Sequence, residues 1–320
     1  MMRGGIDLGG TKIQVVVIDD DHQVHGQVRH PTPVEGGPQA VAEEMVAAVR
    51  EAAEQAGVEP GSLKGIGVGS PGEIDEATGT VAEVGNVAGG WQQAFALGPA
   101  LSHALGTDVR VDNDVRVGAQ AEVQLGAGRD FQSMLAVWWG TGVGGSVVLD
   151  RTTWLGRDAA GEIGHTVIQH LGGRRCPCGR RGCLEAYSGR SAMENEARRR
   201  HRDGEKTKLF KLMRKHDKDR LTSGIWKRAL DRDDALARSL LDEAVDALGA
   251  GIASAINLLD LEAVILGGGL GTKFGEPFAR RIEQAMVPHL FVEDRRPQVR
   301  VAELGDLGGA IGASLLVDGH

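Results

Sequence analysis

Apolar positions near the start of the chain come in unbroken runs rather than in strict alternation. A short extended stretch at 4–8 leads into residues 12–18, which are rich in β-branched side chains, and three consecutive aspartates, Asp19 to Asp21, follow before a third extended stretch at 23–29. This pattern predicts an antiparallel meander of three strands. Between residues 38 and 56 the period changes. Val41, Met45, Ala48, Val49 and Ala52 recur at helical spacing, with Pro38 near the first helical position and Gly57 at the stop. Further along, the pattern predicts a buried strand at 64–69, a helix at 91–105, a strand at 109–112 and a helix at 114–125. Helix over 242–259, strand over 263–266, a glycine turn at 267–271, strand over 299–302 and a small-residue helix at 308–316 complete the series. Strands followed by alternating helices and strands imply an α/β layer fold.

Two segments about 130 residues apart read alike. Ile6-Asp7-Leu8-Gly9-Gly10-Thr11-Lys12 runs into an apolar strand ending in Asp19, and Trp139-Gly140-Thr141-Gly142-Val143-Gly144-Gly145 runs into one ending in Asp150. The repetition of strand, Gly/Thr turn and strand suggests a duplicated domain. Gly140-x-Gly142-x-x-Gly145 resembles a dinucleotide fingerprint only superficially, because a strand follows it where that fingerprint needs a helix N-terminus. Gly10-Thr11-Lys12 likewise lacks the Gly-Lys-Thr order of a P-loop. Successive backbone N–H groups in such turns can still form an anion-binding nest.

Composition narrows the class. With 41% hydrophobic and 25% charged residues among 320, the chain is an ordinary globular protein of about two domains. Its 36 basic and 44 acidic residues give a net charge of −8, which offers no global support for binding nucleic acid or an anionic membrane. No run approaches the ~18 apolar residues of a spanning helix, and Asp7 falls where a signal peptide would be apolar. A cytoplasmic location is therefore expected. The basic stretch 198–220 carries interleaved Leu209, Phe210, Leu212 and Met213, and reads as an amphipathic helical excursion with a solvated basic face.

Three constellations carry chemistry. Cys176, Cys178 and Cys183 lie within eight residues, one ligand short of a tetrahedral zinc site, with His165 and His170 as upstream nitrogen donors. Asp7, at a strand end beside a glycine turn, suits either a Mg²⁺ shell or a turn-stabilising role. Asp112-Asn113-Asp114 stands where a strand feeds a helix; Asp114 is an N-cap or, at such a strand end, a general base that accepts a proton from a substrate hydroxyl.

Taken in chain order, these motifs resemble the ROK family of repressors and sugar kinases, within the sugar kinase, actin and heat-shock ATPase superfamily. The resemblance rests on Asp7 to Lys12, Asn113-Asp114, Gly140 to Gly145, and Gly161-Glu162-Ile163-Gly164-His165 followed by Cys176-Pro177-Cys178-Gly179 and Gly182-Cys183-Leu184-Glu185. It implies a two-lobed, ribonuclease H-like (actin-like ATPase) α/β fold with a duplicated sheet and helix domain and a structural zinc loop. The smaller lobe would comprise 1–114 and 305–320, and the larger 115–304. Most similar are the bacterial glucokinases, which implies ATP-dependent phosphorylation of a hexose. N-acetylglucosamine, N-acetylmannosamine, mannose and fructose are alternative acceptors, and polyphosphate an alternative donor.

By motif position, Asp114 would be the base, and Gly72, Asn86, Asn113, Glu162, His165 and Glu185 would contact the sugar. Asp7, Gly9, Gly10, Thr11, Lys12, Thr141, Gly142, Gly268 and Gly269 would hold MgATP. His165, with Cys176, Cys178 and Cys183, would bind Zn²⁺. A homodimer or homotetramer is implied as well. The sequence departs from the family pattern at Asp112, where Glu is usual, and at Val115, Arg116 and Trp138-Trp139, where smaller residues are typical; Arg116 and the tryptophans are expected to pack in the core or at the site's rim. The family's repressors carry an N-terminal DNA-binding module of ~60 residues, for which the opening strand leaves no room, so a non-catalytic sugar sensor is the remote alternative.

Overall fold

The computed structural model describes residues 1–84, 91, 93–292 and 294–318. The chain divides into two compact units, Met1–Arg129 with Glu303–His320, and Asp130–Ala302.

In the first unit, β1 (Arg3–Leu8), β2 (Lys12–Ile18) and β3 (Val24–Pro31) form the expected meander. Helix α1 (Gly37–Gln55) follows, then β4 (Ile66–Ser70), the short hairpin β5 (Glu73–Asp75) and β6 (Thr80–Ala82), α2 (Leu97–Leu105), β7 (Val109–Asn113) and α3 (Asp114–Leu125). The main sheet has the order β3-β2-β1-β4-β7, with β4 and β7 parallel to β1. The unbroken apolar run in β2 now has a reason, since both faces of the sheet are covered. Ile13, Val15 and Val17 pack with α1 residues such as Met45 and Val49, whereas Val16 and Ile18 pack against Ala310 on the opposite face.

The predicted helix at 91–105 begins only at Leu97. Trp91 and Phe95 instead bridge Val84 and Val81 in antiparallel fashion, and Pro99 has no N–H to donate and so fits only the first turn of a helix.

The second unit contains β8 (Met134–Trp139), β9 (Val143–Leu149) and β10 (Thr152–Thr153), then α4 (Glu185–Ser188), α5 (Arg190–Arg202), α6 (Leu209–Lys215), α7 (Ser223–Leu230) and α8 (Ala235–Leu259). It is completed by β11 (Ala263–Gly267), α9 (Gly268–Phe274), α10 (Glu276–Met286) and β12 (Gln298–Val301). Its sheet order, β10-β9-β8-β11-β12, repeats that of the first unit strand for strand, as the paired glycine motifs suggest. The expected glycine turn at 267–271 is a correction: Gly267 ends β11 and Gly268 already starts α9. The basic excursion is α5, a turn and α6, with Leu209, Phe210 and Leu212 buried. Three of its arginines pair with neighbours, Arg198 with Glu194, Arg199 with Glu196 and Arg200 with Glu205. Among the described residues no helix is long and apolar enough to cross a membrane.

The chain then returns to the first unit as α11 (Gly308–Leu315). This helix lies directly on β1 and β4, because a Cβ on Gly5 would sit 1.9 Å from the Ala310 carbonyl oxygen and one on Gly67 only 1.7 Å from that of Ala313. Gly312 lets it approach α3 equally closely, at 2.0 Å from the Val117 oxygen. The buried Glu122 carboxylate fixes the return, accepting hydrogen bonds from the amides of Ala127, Glu303 and Leu304 at 2.8, 3.1 and 3.0 Å. Helix α3 therefore belongs to the first unit, and the boundary falls after Arg129 rather than after Asp114.

Gly67→Ala is expected to destabilise the protein by about 3 kcal/mol or more in urea unfolding, because backbone rather than a movable side chain must yield. Gly61→Ala, whose added methyl would meet nothing closer than 3.6 Å, should stay within about 0.5 kcal/mol of the parent.

Candidate functional site

The three cysteines sit on a tight loop closed by backbone hydrogen bonds from Cys176 N to Arg180 O and from Gly179 N to Cys176 O. His165 arrives from a 3-10 turn, Ile163–His165. The donor atoms of His165, Cys176, Cys178 and Cys183 all lie within 4.8 Å of one another. Cys178 and Cys183 Sγ are 3.7 Å apart, as are Cys176 Sγ and His165 Nδ1. A tetrahedron of ligands about 2.3 Å from zinc has edges of about 3.8 Å, so the donor set fits that ion. A hydrogen bond from Arg180 lowers the Cys178 thiol to about 6, favouring the thiolate that a metal requires. His165 completes the set; His170 is exposed and lies outside it.

The zinc loop leads straight into Glu185, at the start of α4. Its Oε2 accepts a hydrogen bond from Val143 N at 2.8 Å, and a Cβ on Gly142 would lie 2.1 Å from that oxygen. One carboxylate oxygen therefore holds the β8–β9 turn. The turn is tethered again by α5, where Arg190 N donates to Gly140 O and Ser191 N to Thr141 O. Thr141 is exposed, and Arg190 Nη2 donates to its Oγ1 at 2.7 Å. Gly268, at φ +77°, can approach Trp139 because it lacks a Cβ, which would lie 2.7 Å from the Trp139 oxygen. Gly140 and Gly269 are neighbours, with 3.7 Å from a Cβ position on Gly140 to Gly269 N, and Ser223 Oγ lies 3.5 Å from the equivalent position on Gly269. The unit thus gathers Thr141, Gly142, Gly268 and Gly269 into one region, while Glu162 is exposed on the turn that carries His165. Arg190 and Ser223 are functional candidates that sequence reasoning missed. Trp139 is core, fully buried with Nε1 donating to Ser188 O, and Trp138 lies half-buried against Gly267.

In the first unit the β1–β2 turn is closed by Gly9 N donating to Lys12 O and by the Thr32 hydroxyl donating to Gly9 O. Gly10, Thr11 and Lys12 remain at least partly accessible around it. Asp7, at the end of β1, lies against the start of α11, with its Cγ 2.8 Å from a Cβ position on Gly309. Burial pushes its carboxyl up from the ordinary value; Lys12 draws it back down and Asp306 adds to the rise. A carboxylate held against desolvation beside a second acid is suited to a divalent cation.

Asn113, not Asp114, is the N-cap of α3. Its Oδ1 accepts hydrogen bonds from the Val115 and Arg116 amides, so its contact to a ligand is limited to donation through Nδ2. Asp114 occupies the first helical position, at the C-terminal end of β7. Asp112 is held by the Asn113 amide and by Arg116 Nε, at 2.6 and 2.9 Å, and burial lifts its carboxyl to about 6. Arg116 is itself buried and also reaches Glu76, which makes it a packing residue. Gly72 has φ +103° and would collide with Ala82 O if it bore a Cβ, so its identity is explained by the backbone. Asn86 lies outside the described residues.

The ROK family pattern matches residues 3–320. The chain belongs to the ROK family. It is 31% identical to the glucokinase of Halalkalibacterium halodurans over 98% of this chain and 94% of the relative. It is 32% identical to an N-acetylgalactosamine kinase of Shewanella over 100% and 97%. The crystal structure of a ROK family glucokinase from Streptomyces griseus in complex with glucose and AMPPNP superposes with a TM-score of 0.83, at 29% identity and 99% coverage of both chains. The two repeated sheets and the His/Cys3 cluster of this ROK protein accord with that relationship.

Purified protein is expected to contain about one zinc per chain by elemental analysis. Cys183→Ser should lose it and melt at lower temperature. A well-folded sample free of zinc would exclude the structural metal.

Proposed function

We propose that this ROK protein is an ATP-dependent hexose kinase, with glucose as the preferred acceptor and glucose 6-phosphate as the product. The observation that carries the reading is Asp114, at the end of β7 in a chain whose whole length matches the family, with the capping role taken by Asn113.

Phosphoryl transfer passes through a loose transition state, so the protein's task is to position the acceptor oxygen and stabilise charge on the transferred group. Asp114 accepts the proton of the sugar's 6-hydroxyl as that oxygen attacks the γ-phosphorus and the bond from phosphorus to the β–γ bridging oxygen breaks, releasing ADP. Asn113, Glu162, His165 and Glu185 orient the other hydroxyls, each of which can both donate and accept, and Gly72 and Asn86 are further proposed contacts. Gly9, Gly10, Thr11, Lys12, Thr141 and Gly142 bind phosphate, and Gly268 and Gly269 lie beside the adenosine. Mg²⁺, for which Asp7 is the proposed holder, supplies charge neutralisation on the donor's phosphates. The zinc is structural and takes no part in the transfer. The reaction is placed in the cytoplasm, where ATP is supplied, and the assembly is a homodimer or homotetramer; the first rests on the donor and the second on family resemblance.

The Shewanella relative's name favours a second acceptor class, the N-acetylhexosamines, because a pocket's choice among sugars turns on one or two contacts. Coupled ADP release from MgATP with glucose, mannose, fructose, N-acetylglucosamine, N-acetylgalactosamine and N-acetylmannosamine separates the acceptors. Glucose is expected to give the highest kcat/KM, and Asp114→Asn to lower kcat by about 10²–10⁴-fold in a protein that still folds and loads zinc. No turnover with any sugar would refute the kinase reading, and full activity in Asp114→Asn would refute the base.

A further inference from the structure

Arg190 occupies the first position of α5, where no acidic residue accompanies it in the first turn. A cation at a helix N-terminus opposes the helix dipole. Arg190 is also half-buried, and burial lowers its affinity for the proton relative to an ordinary arginine, although a guanidinium stays charged throughout. No carboxylate forms an ion pair with it among the described residues. The nearest acid on its own helix, Glu194, is committed elsewhere: one oxygen accepts two hydrogen bonds from Arg198 and the other accepts one from the Leu221 amide. Arg220, another cation, raises the local positive potential further.

The guanidinium is nevertheless held in place. Nη1 donates to Leu221 O at 3.3 Å and Nη2 to Thr141 Oγ1 at 2.7 Å, so a fixed positive charge stands at the tip of the β8–β9 glycine turn. Placing it there costs solvation and works against the helix dipole, and its two hydrogen bonds and the charge of Glu194 offset those costs only in part. An anion at the turn would offset both.

We propose that Arg190 is a binding residue for the polyphosphate chain of the nucleotide donor, contacting phosphate oxygens presented to the Thr141–Gly142 turn. The inference rests on the nucleotide reading given above and adds to it a residue outside the glycine motifs. Arginine suits the role because its rigid fork of donors matches phosphate oxygens, and the bond it already makes to Thr141 limits the side-chain entropy lost on binding.

The backbone bonds from Arg190 N to Gly140 O and from Ser191 N to Thr141 O do not depend on the side chain, so the turn stays tethered in any substitution. Arg190→Ala and Arg190→Lys are to be compared with the parent by calorimetric titration with adenosine, ADP and ATP, without sugar, at two salt concentrations. ADP and ATP are expected to bind Arg190→Ala at least about tenfold more weakly. Adenosine should bind unchanged, Arg190→Lys should recover part of the loss, and the salt dependence of ATP binding should be shallower in Arg190→Ala. Equal weakening of all three ligands would overturn the proposal, because it would mean that the side chain only shapes the turn. ADP and ATP binding at the parent's affinity would overturn it as well. If the parent itself binds none of the three, the nucleotide reading fails and the role of Arg190 with it; if the parent binds them all and Arg190→Ala matches it, only the role of Arg190 fails.

Discussion

Direct packing of backbone on backbone is the constraint on which the first unit depends. Gly5 and Gly67 present two bare strands to α11, and Gly312 presents bare helix to α3. A single methyl at any of these points would meet a carbonyl oxygen at 2.0 Å or less. This closeness sets where α11 begins, and so places Gly309 against Asp7. Gly69 does the same for α3, whose Val117 and Asp114 would crowd a Cβ there. The residues around the proposed Mg²⁺ ligand and base are thus located by the absence of side chains beneath them.

The second unit reaches a comparable result by cross-linking. The His165 turn rests on β9, since a Cβ on Gly164 would lie 1.9 Å from Val143 O. Glu185, two residues after Cys183, grips the Val143 amide from the other side. Metal ligands and glycine turn therefore share one short stretch of β9. The Glu185 carboxylate thus ties the end of the cysteine loop to the glycine turn through a single side chain.

Much of this was legible in the residues because the signals are local. Unbroken β-branched runs, a repeated Gly/Thr turn and three bunched cysteines each state their constraint within a few positions, and His165 followed from the family's motif. What escaped depends on distant partners. The amides of Trp91 and Phe95 pair with Val84 and Val81, which no helical periodicity reveals. The Gly267–Gly271 run is as compatible with a turn as with a helix start until Trp139 packs on Gly268. Asn113 and Asp114 are both good caps, and only the observed dihedral angles choose between them. Arg190 is conspicuous only as a breach of helix electrostatics, a signal that needs the helix boundary first.

The order in which the two units are made has a consequence for folding. The second is one uninterrupted stretch, Asp130–Ala302, whereas the first lacks α11 until the segment from Glu303 onward has been added. During synthesis, at ~5–20 residues per second, the meander and its parallel strands must wait with the Gly5 and Gly67 face of the sheet uncovered while the whole of the second unit is translated. The later unit in sequence is then the earlier one to close its core.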